Sequence, residues 1–138
     1  MDMSANYTEQ KFAQTVADGL TKIFQNDGPY LIHCTEGKDR TGFMCLLVEA
    51  LAGSKLNELE ADYMKTYENY YGITKTSAPD KYKAIYDLKF GDMICFLAKT
   101  KNISDVTDEK ILSGARDYLK FGGLDDNKID SLIKKISL

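Results

Sequence analysis

The sequence predicts an α/β domain in which helices dominate and one strand stands out. Three observations predict it. Apolar residues recur at helical spacing through most of the chain. One short apolar run, Tyr30-Leu31-Ile32-His33, is bracketed by turn residues and reads as a buried strand. With 138 residues and 43% hydrophobic content, the chain can bury one modest core, so residues 1–138 read as a single domain. No repeat, low-complexity run or interdomain linker divides it.

In chain order, Met1 to Tyr7 is a short polar lead. Thr8 is placed to cap a helix over Glu9 to Asn26, with Phe12, Val16, Leu20, Ile23 and Phe24 along one face. Asn26-Asp27-Gly28-Pro29 ends it with turn chemistry. The strand follows, then a tight loop from Cys34 to Arg40, then a helix from Arg40 to about Ala52. Met44, Leu47, Val48 and Leu51 give that helix a wide apolar face, and Gly53 stops it. Ser54 opens a helix to about Tyr71, with Leu56, Leu59, Tyr63, Tyr67 and Tyr70 on one side.

Gly72 to Ala78 is a polar connection. Ser77 with Asp80 three residues on, and Pro79 in the first turn, marks the next helix start. That helix runs to about Thr100 with Ile85, Leu88, Met93, Ile94 and Leu97 inward, and Gly91 is the place for a bend. Thr107 to Phe121 and Asp125 to Ile136 are the last helices, divided by Gly122-Gly123.

Composition excludes several function classes. A net charge of −3 with no basic run gives no support to nucleic acid or an anionic membrane as a bulk partner. No stretch approaches the roughly 20 apolar residues of a membrane span, and no signal peptide opens the chain. Three widely spaced cysteines point to reduced thiols and a cytoplasmic protein rather than a disulfide frame. A single histidine argues against a zinc site, and no cofactor is called for.

The chemistry gathers between Pro29 and Gly42. Five residues separate Cys34 from Arg40, and a loop of that size curls around a phosphate with its backbone N–H groups inward and the next helix presenting its N-terminus. Cys34 lies at the floor of such a cradle. Arg40 closes over the rim with a two-pronged grip on phosphate oxygens. Gly37 lets the backbone turn, and Thr35, Glu36 and Lys38 complete the ring. A thiol at a helix N-terminus beside Arg40 and Lys38 is expected to sit largely as thiolate, the nucleophilic form.

His33-Cys34-x-x-Gly37-Lys38-Asp39-Arg40-Thr41-Gly42 resembles the signature loop of the cysteine-dependent protein-tyrosine phosphatases. It is closest to the bacterial branch whose loop reads Cys-x-x-Gly-Lys-Asp-Arg and whose members act on phosphotyrosine and often on phosphoinositides. Asn6 to Ile32 resembles the helix and strand before the loop in that branch. Ala61-Asp62-Tyr63-Met64 and Arg116-Asp117-Tyr118-Leu119 resemble its C-terminal helices. A bare Cys-x5-Arg is a weak signal, shared with rhodaneses and arsenate reductases, whereas this longer match behind a hydrophobic strand is strong.

The resemblance implies a cysteine-dependent protein-tyrosine or dual-specificity phosphatase without a metal. Its partners are then a phosphorylated protein or a phosphoinositide, with a phosphate or sulfate ion fitting the loop. It also implies a parallel sheet flanked by helices, preceded by a sizeable N-terminal part with further strands and often an aspartate loop. A lone strand cannot satisfy its ladder hydrogen bonds. The chain thus corresponds to the C-terminal half of a family member, its remaining strands missing or supplied by a second chain. The alternative is a compact helical remnant around one strand.

Each loop residue also has a plainer reading. Cys34 reads otherwise as a small buried hydrophobe. Arg40 reads otherwise as a solvated helix-start residue, but a cation in a first turn opposes the helix dipole, which favours an anion-holding role. Thr41 either starts the helix or hydrogen-bonds the sulfur and eases its departure. His33 packs at the strand end, and the resemblance implies that it orients the cysteine. Lys38 is an exposed lysine or adds rim charge for a second phosphate or an inositol ring.

Asp39 is odd beside a dianion. It either points away and caps the helix, or is protonated and serves as general acid, the role the resemblance implies in a chain without a Trp-Pro-Asp loop. Asp18 and Asp27 have no motif around them. Tyr63, Tyr67, Tyr70 and Tyr71 read as a core stripe before a substrate-stacking surface. Cys45 and Cys95 read as core, with Cys45 a candidate to trap oxidised Cys34. Leu124-Asp125-Asp126 is a helix start rather than a metal site.

The mechanism expected from these residues is attack of Cys34 on phosphorus, with the loop N–H groups and Arg40 on the equatorial oxygens. Asp39 or an aspartate outside the chain protonates the leaving oxygen, and water then hydrolyses the cysteinyl-phosphate with help from Thr41. The rival classes are a phosphate-binding module without turnover and a sulfur- or arsenate-handling enzyme.

Overall fold

Residues 7–137 are described by the computed structural model. They form α1 (Gln10–Phe24), α2 (Asp39–Leu51), α3 (Leu56–Tyr71), α4 (Pro79–Ile85), a π-helical segment (Tyr86–Gly91), α5 (Asp92–Ala98), a 3-10 turn (Ile103–Asp105), α6 (Asp108–Phe121) and α7 (Asp126–Ile136). The polar lead over residues 1–6 lies outside the described residues. Tyr7, placed in that lead by the sequence, is instead buried, its ring stacked on Phe43 at 5.0 Å between centroids.

No strand occurs among the described residues, and the buried strand expected at Tyr30–His33 is not formed. Leu31 is 85% exposed. The reason is pairing: a strand needs a neighbour for its N–H and C=O groups, and the described helices offer none. Tyr30 turns back on the end of α1 instead, its hydroxyl donating to the Asn26 carbonyl and its ring meeting Phe24 edge-on at 5.2 Å.

Helix ends follow local chemistry closely. Thr107 caps α6 by accepting from the Lys110 N–H, and Asp125 caps α7 by accepting from the Lys128 N–H, as the helix-start reading of Leu124-Asp125-Asp126 requires. Elsewhere the cap moves. Glu9, not Thr8, holds the N-cap position of α1. Glu58 accepts from the Lys55 N–H, so α3 begins at Leu56 rather than beside Ser54. Ser77 donates to the Gly72 carbonyl and accepts from the Thr74 N–H, which spends its hydroxyl on the preceding turn and leaves Ala78 at the cap of α4.

The bend expected at Gly91 is the end of the π segment. A wider turn rotates the helix face, so Phe90 is fully buried while Leu88, expected inward, is 66% exposed. Helix α6 sits at the centre, touching α1, α2, α5 and α7. Between these helices lies an aromatic cluster in which Phe43 meets Tyr118 edge-on at 5.2 Å and Phe96 meets Tyr7 edge-on at 5.2 Å. Phe43 belongs to α2, so the core fixes the helix that closes the Cys34 loop. Among the described residues no helix is long and apolar enough to cross a membrane.

Candidate functional site

Helix α2 begins at Asp39, so its first turn carries Asp39, Arg40 and Thr41, and the chain from Thr35 to Lys38 bends back toward Cys34. Gly37 takes the left-handed conformation at φ +67°, which a side chain would strain. Burial pushes the Cys34 thiol up, but hydrogen bonds outweigh it. They come from the Thr41 hydroxyl and from the Thr41, Glu36 and Gly37 N–H groups, and together they pull its pKa down to about 6. Thr41 Oγ1 is buried, and it has no partner that meets strict hydrogen-bond geometry. We read it as the donor that the thiolate recruits, because no other acceptor satisfies it.

The two cations of the loop are used differently. Arg40 is exposed, and its Nη2 donates to Thr35 Oγ1 at 3.3 Å, tying one side of the loop to the other. That partner is neutral, and among the described residues Arg40 has no carboxylate, so its charge remains for an anion. Lys38 is matched instead: Nζ lies 2.9 Å from Glu36 Oε2, 3.4 Å from the Tyr71 hydroxyl and 3.9 Å from Asp39 Oδ2. The Glu36 contact, then Tyr71 and Asp39, hold its pKa well above the usual lysine range. The sequence reads Lys38 as an exposed lysine or as rim charge for a second phosphate or an inositol ring, and the structure makes it the centre of a polar cluster.

Asp39 faces α3. Behind burial, its charge helps to push the Tyr63 and Tyr67 hydroxyls up. Lys38 rather than Asp39 holds the N-cap position of α2, without a side-chain cap, and Asp39 is the acidic residue of the first turn. His33 is exposed on the N-terminal side of Cys34, whereas the groups that lower the thiol pKa come from the loop and α2.

The tyrosine stripe divides. Tyr63 and Tyr67 are buried, but Tyr70 is 60% and Tyr71 48% exposed, and Tyr71 stands beside the loop. The signal available in sequence was the adjacency of Tyr70 and Tyr71, since two neighbours on a helix cannot both face one core. A second feature missed was the carboxyl pair Glu49 on α2 and Asp62 on α3. Burial, then Asp62 and Glu58, push Glu49 up to about 7. Cys34, Cys45 and Cys95 are free thiols, and burial, then Glu49 and Asp62, keep Cys45 up.

Comparison with known proteins places the chain in a family. The family model described as the tyrosine phosphatase family matches residues 1–137. A Cupriavidus necator protein provisionally named a tyrosine-protein phosphatase is 34% identical over 59 residues, covering 43% of this chain and 22% of that protein. The match thus spans about a fifth of the relative's length. No solved structure matches the chain.

Proposed function

Because the chain belongs to the tyrosine phosphatase family, we propose that it supplies the catalytic loop of a phosphomonoester hydrolase working through a cysteinyl-phosphate. One observation carries the reading. Three backbone N–H groups and the Thr41 hydroxyl converge on Cys34, next to an Arg40 charge that no carboxylate among the described residues matches. An anion seated on the sulfur meets donors that are already oriented by the loop.

In the proposed reaction the Cys34 thiolate attacks phosphorus as the bond to the leaving oxygen breaks. Loop N–H groups from Thr35 to Arg40 and the Arg40 guanidinium hold the equatorial oxygens. Asp39 gives its proton to the leaving oxygen, unless an aspartate outside this chain does so. Water then attacks the phosphoryl group and gives its proton to the same carboxylate. The S–P bond breaks, phosphate leaves, and Thr41 donates to the re-forming thiolate. His33 orients Cys34 from its other side. The substrates are phosphotyrosine-type or phosphoinositide monoesters. A thiolate nucleophile requires reduced cysteine, which supports a cytoplasmic setting.

The sheet expected around Tyr30–His33 belongs to the same proposal. Leu31 is 85% exposed, an apolar side chain that a neighbouring strand would cover. Strands from outside residues 1–138, on the same polypeptide or a second chain, would pair there.

The experiment is an aryl phosphate assay with paired variants. Cys34→Ser is expected to abolish turnover while phosphate binding survives, and Arg40→Ala to weaken both. Turnover that persists in Cys34→Ser overturns the mechanism. Phosphate binding without turnover in the wild-type chain would favour the rival reading, a binding module.

A further inference from the structure

Beside the Cys34 loop stands an aromatic wall that the reaction above does not use. Tyr71 is the last residue of α3, and its hydroxyl accepts from Lys38 Nζ at 3.4 Å. The same ammonium lies 5.5 Å from the ring centroid, farther than from the hydroxyl, so the tether is at the oxygen end of the ring. Tyr67 and Tyr70 back the ring at 6.1 Å and 5.2 Å between centroids, yet Tyr71 remains 48% exposed. Lys38 is four residues from Cys34, so the tether brings an open aromatic surface to the side of the anion seat.

The charge around Lys38 bears on what that wall receives. Its ammonium is matched by Glu36 at 2.9 Å and approached by Asp39 at 3.9 Å. A second phosphate arriving there meets the Glu36 carboxylate as well as the cation, which removes much of the attraction. A flat ring meets a flat ring, and offset or edge contacts between them are favourable beyond the area they bury.

We propose that Tyr71 is a specificity-determining residue whose exposed ring packs against an aromatic leaving group, with Lys38 as the positioning residue that holds it at the loop. The inference rests on the phosphatase reading of Cys34 and Arg40. It selects aryl over alkyl phosphomonoesters, and it assigns Lys38 to the protein's own tyrosine rather than to a second phosphate of the substrate.

The test uses the full chain carrying Cys34→Ser, so that ligands persist, and measures binding of inorganic phosphate, phenyl phosphate and propyl phosphate by calorimetry. Phenyl phosphate is expected to bind about three- to ten-fold tighter than propyl phosphate, the size of one aromatic contact. Adding Tyr71→Ala is expected to bring that ratio close to one. Adding Tyr70→Ala, which removes an exposed ring without touching Lys38, is expected to change it less. Circular dichroism melts establish that each variant is folded, and because Tyr71 is half exposed its truncation spares the core.

Equal affinity for the two esters, or a ratio that survives Tyr71→Ala, overturns the role of Tyr71 while leaving the phosphatase reading intact. An equal drop from Tyr70→Ala likewise overturns the assignment to Tyr71. No affinity for inorganic phosphate overturns the anion seat itself, and this inference with it.

Discussion

The backbone of α2 at Gly42 lies against the ring of Tyr63 on α3: a Cβ placed there would come within 2.8 Å of Tyr63 Cε2 and 3.2 Å of Cδ2. Tyr63 is only 4% exposed, so its ring has little room to retreat. Gly42→Ala is therefore an overpacking substitution next to the Cys34–Arg40 loop. Overpacking costs about 1–3 kcal/mol and the gain in helix propensity returns at most about 1 kcal/mol. A net loss of stability is expected, read as a lower Tm than wild type in a thermal melt. An unchanged or higher Tm would show that the two helices are not in tight register at this point.

The Cys34 thiolate is the second place where a number follows from geometry. With its pKa pulled down to about 6, the rate of alkylation by iodoacetamide should rise as pH passes through that value and level off by neutral pH. Thr41→Val removes the hydroxyl donor and leaves the backbone N–H groups, so the midpoint should move up but stay below that of a free thiol. Peptide mass mapping should place the label on Cys34 well before Cys45, which burial holds protonated. A midpoint near the ordinary thiol value of about 8.5 would mean that the N–H groups do not face the sulfur.

Glu49 makes stability depend on pH in the opposite sense from a paired carboxylate. Its folded pKa is raised to about 7 from a reference of 4.5, so between those values the folded state keeps a proton that the unfolded chain has released. Stability is greatest below the unfolded value and is lost as pH rises through the folded one. Glu49→Gln removes the charge that burial and Asp62 oppose. The variant should melt at a higher temperature than wild type at pH 8 and show a flatter Tm between pH 5 and pH 7. Parallel Tm–pH curves for the two proteins would rule out Glu49 as the source.

Much of the helical layout was legible because its causes are local. Thr107 and Asp125 cap α6 and α7 through side chains three residues from their donors, and the Cys34–Arg40 spacing bends the loop onto the sulfur by its length. Leu88, expected inward, is exposed and Phe90 is buried because one wide turn rotates a face, and no period counted along the chain registers that rotation. Tyr30–His33 forms no strand among the described residues because apolar content says where a strand is possible, whereas pairing decides whether one forms.

The candidate site divides along the same line. By itself the sequence determined which groups the loop brings together: a thiol, a guanidinium six residues later, a hydroxyl next to it, and the turn that Gly37 permits. These lie within one loop and one helical turn, where chain connectivity alone fixes neighbours. Only the tertiary structure decided that Lys38 is matched by Glu36 and tethers Tyr71, that Arg40 meets the neutral Thr35 hydroxyl rather than a carboxylate among the described residues, and that Glu49 meets Asp62. The Lys38–Tyr71 and Glu49–Asp62 contacts depend on how α3 docks against the loop and α2. That docking is set by burial of apolar faces around Phe43 and Tyr63, which acts across the whole core and leaves no mark in local spacing.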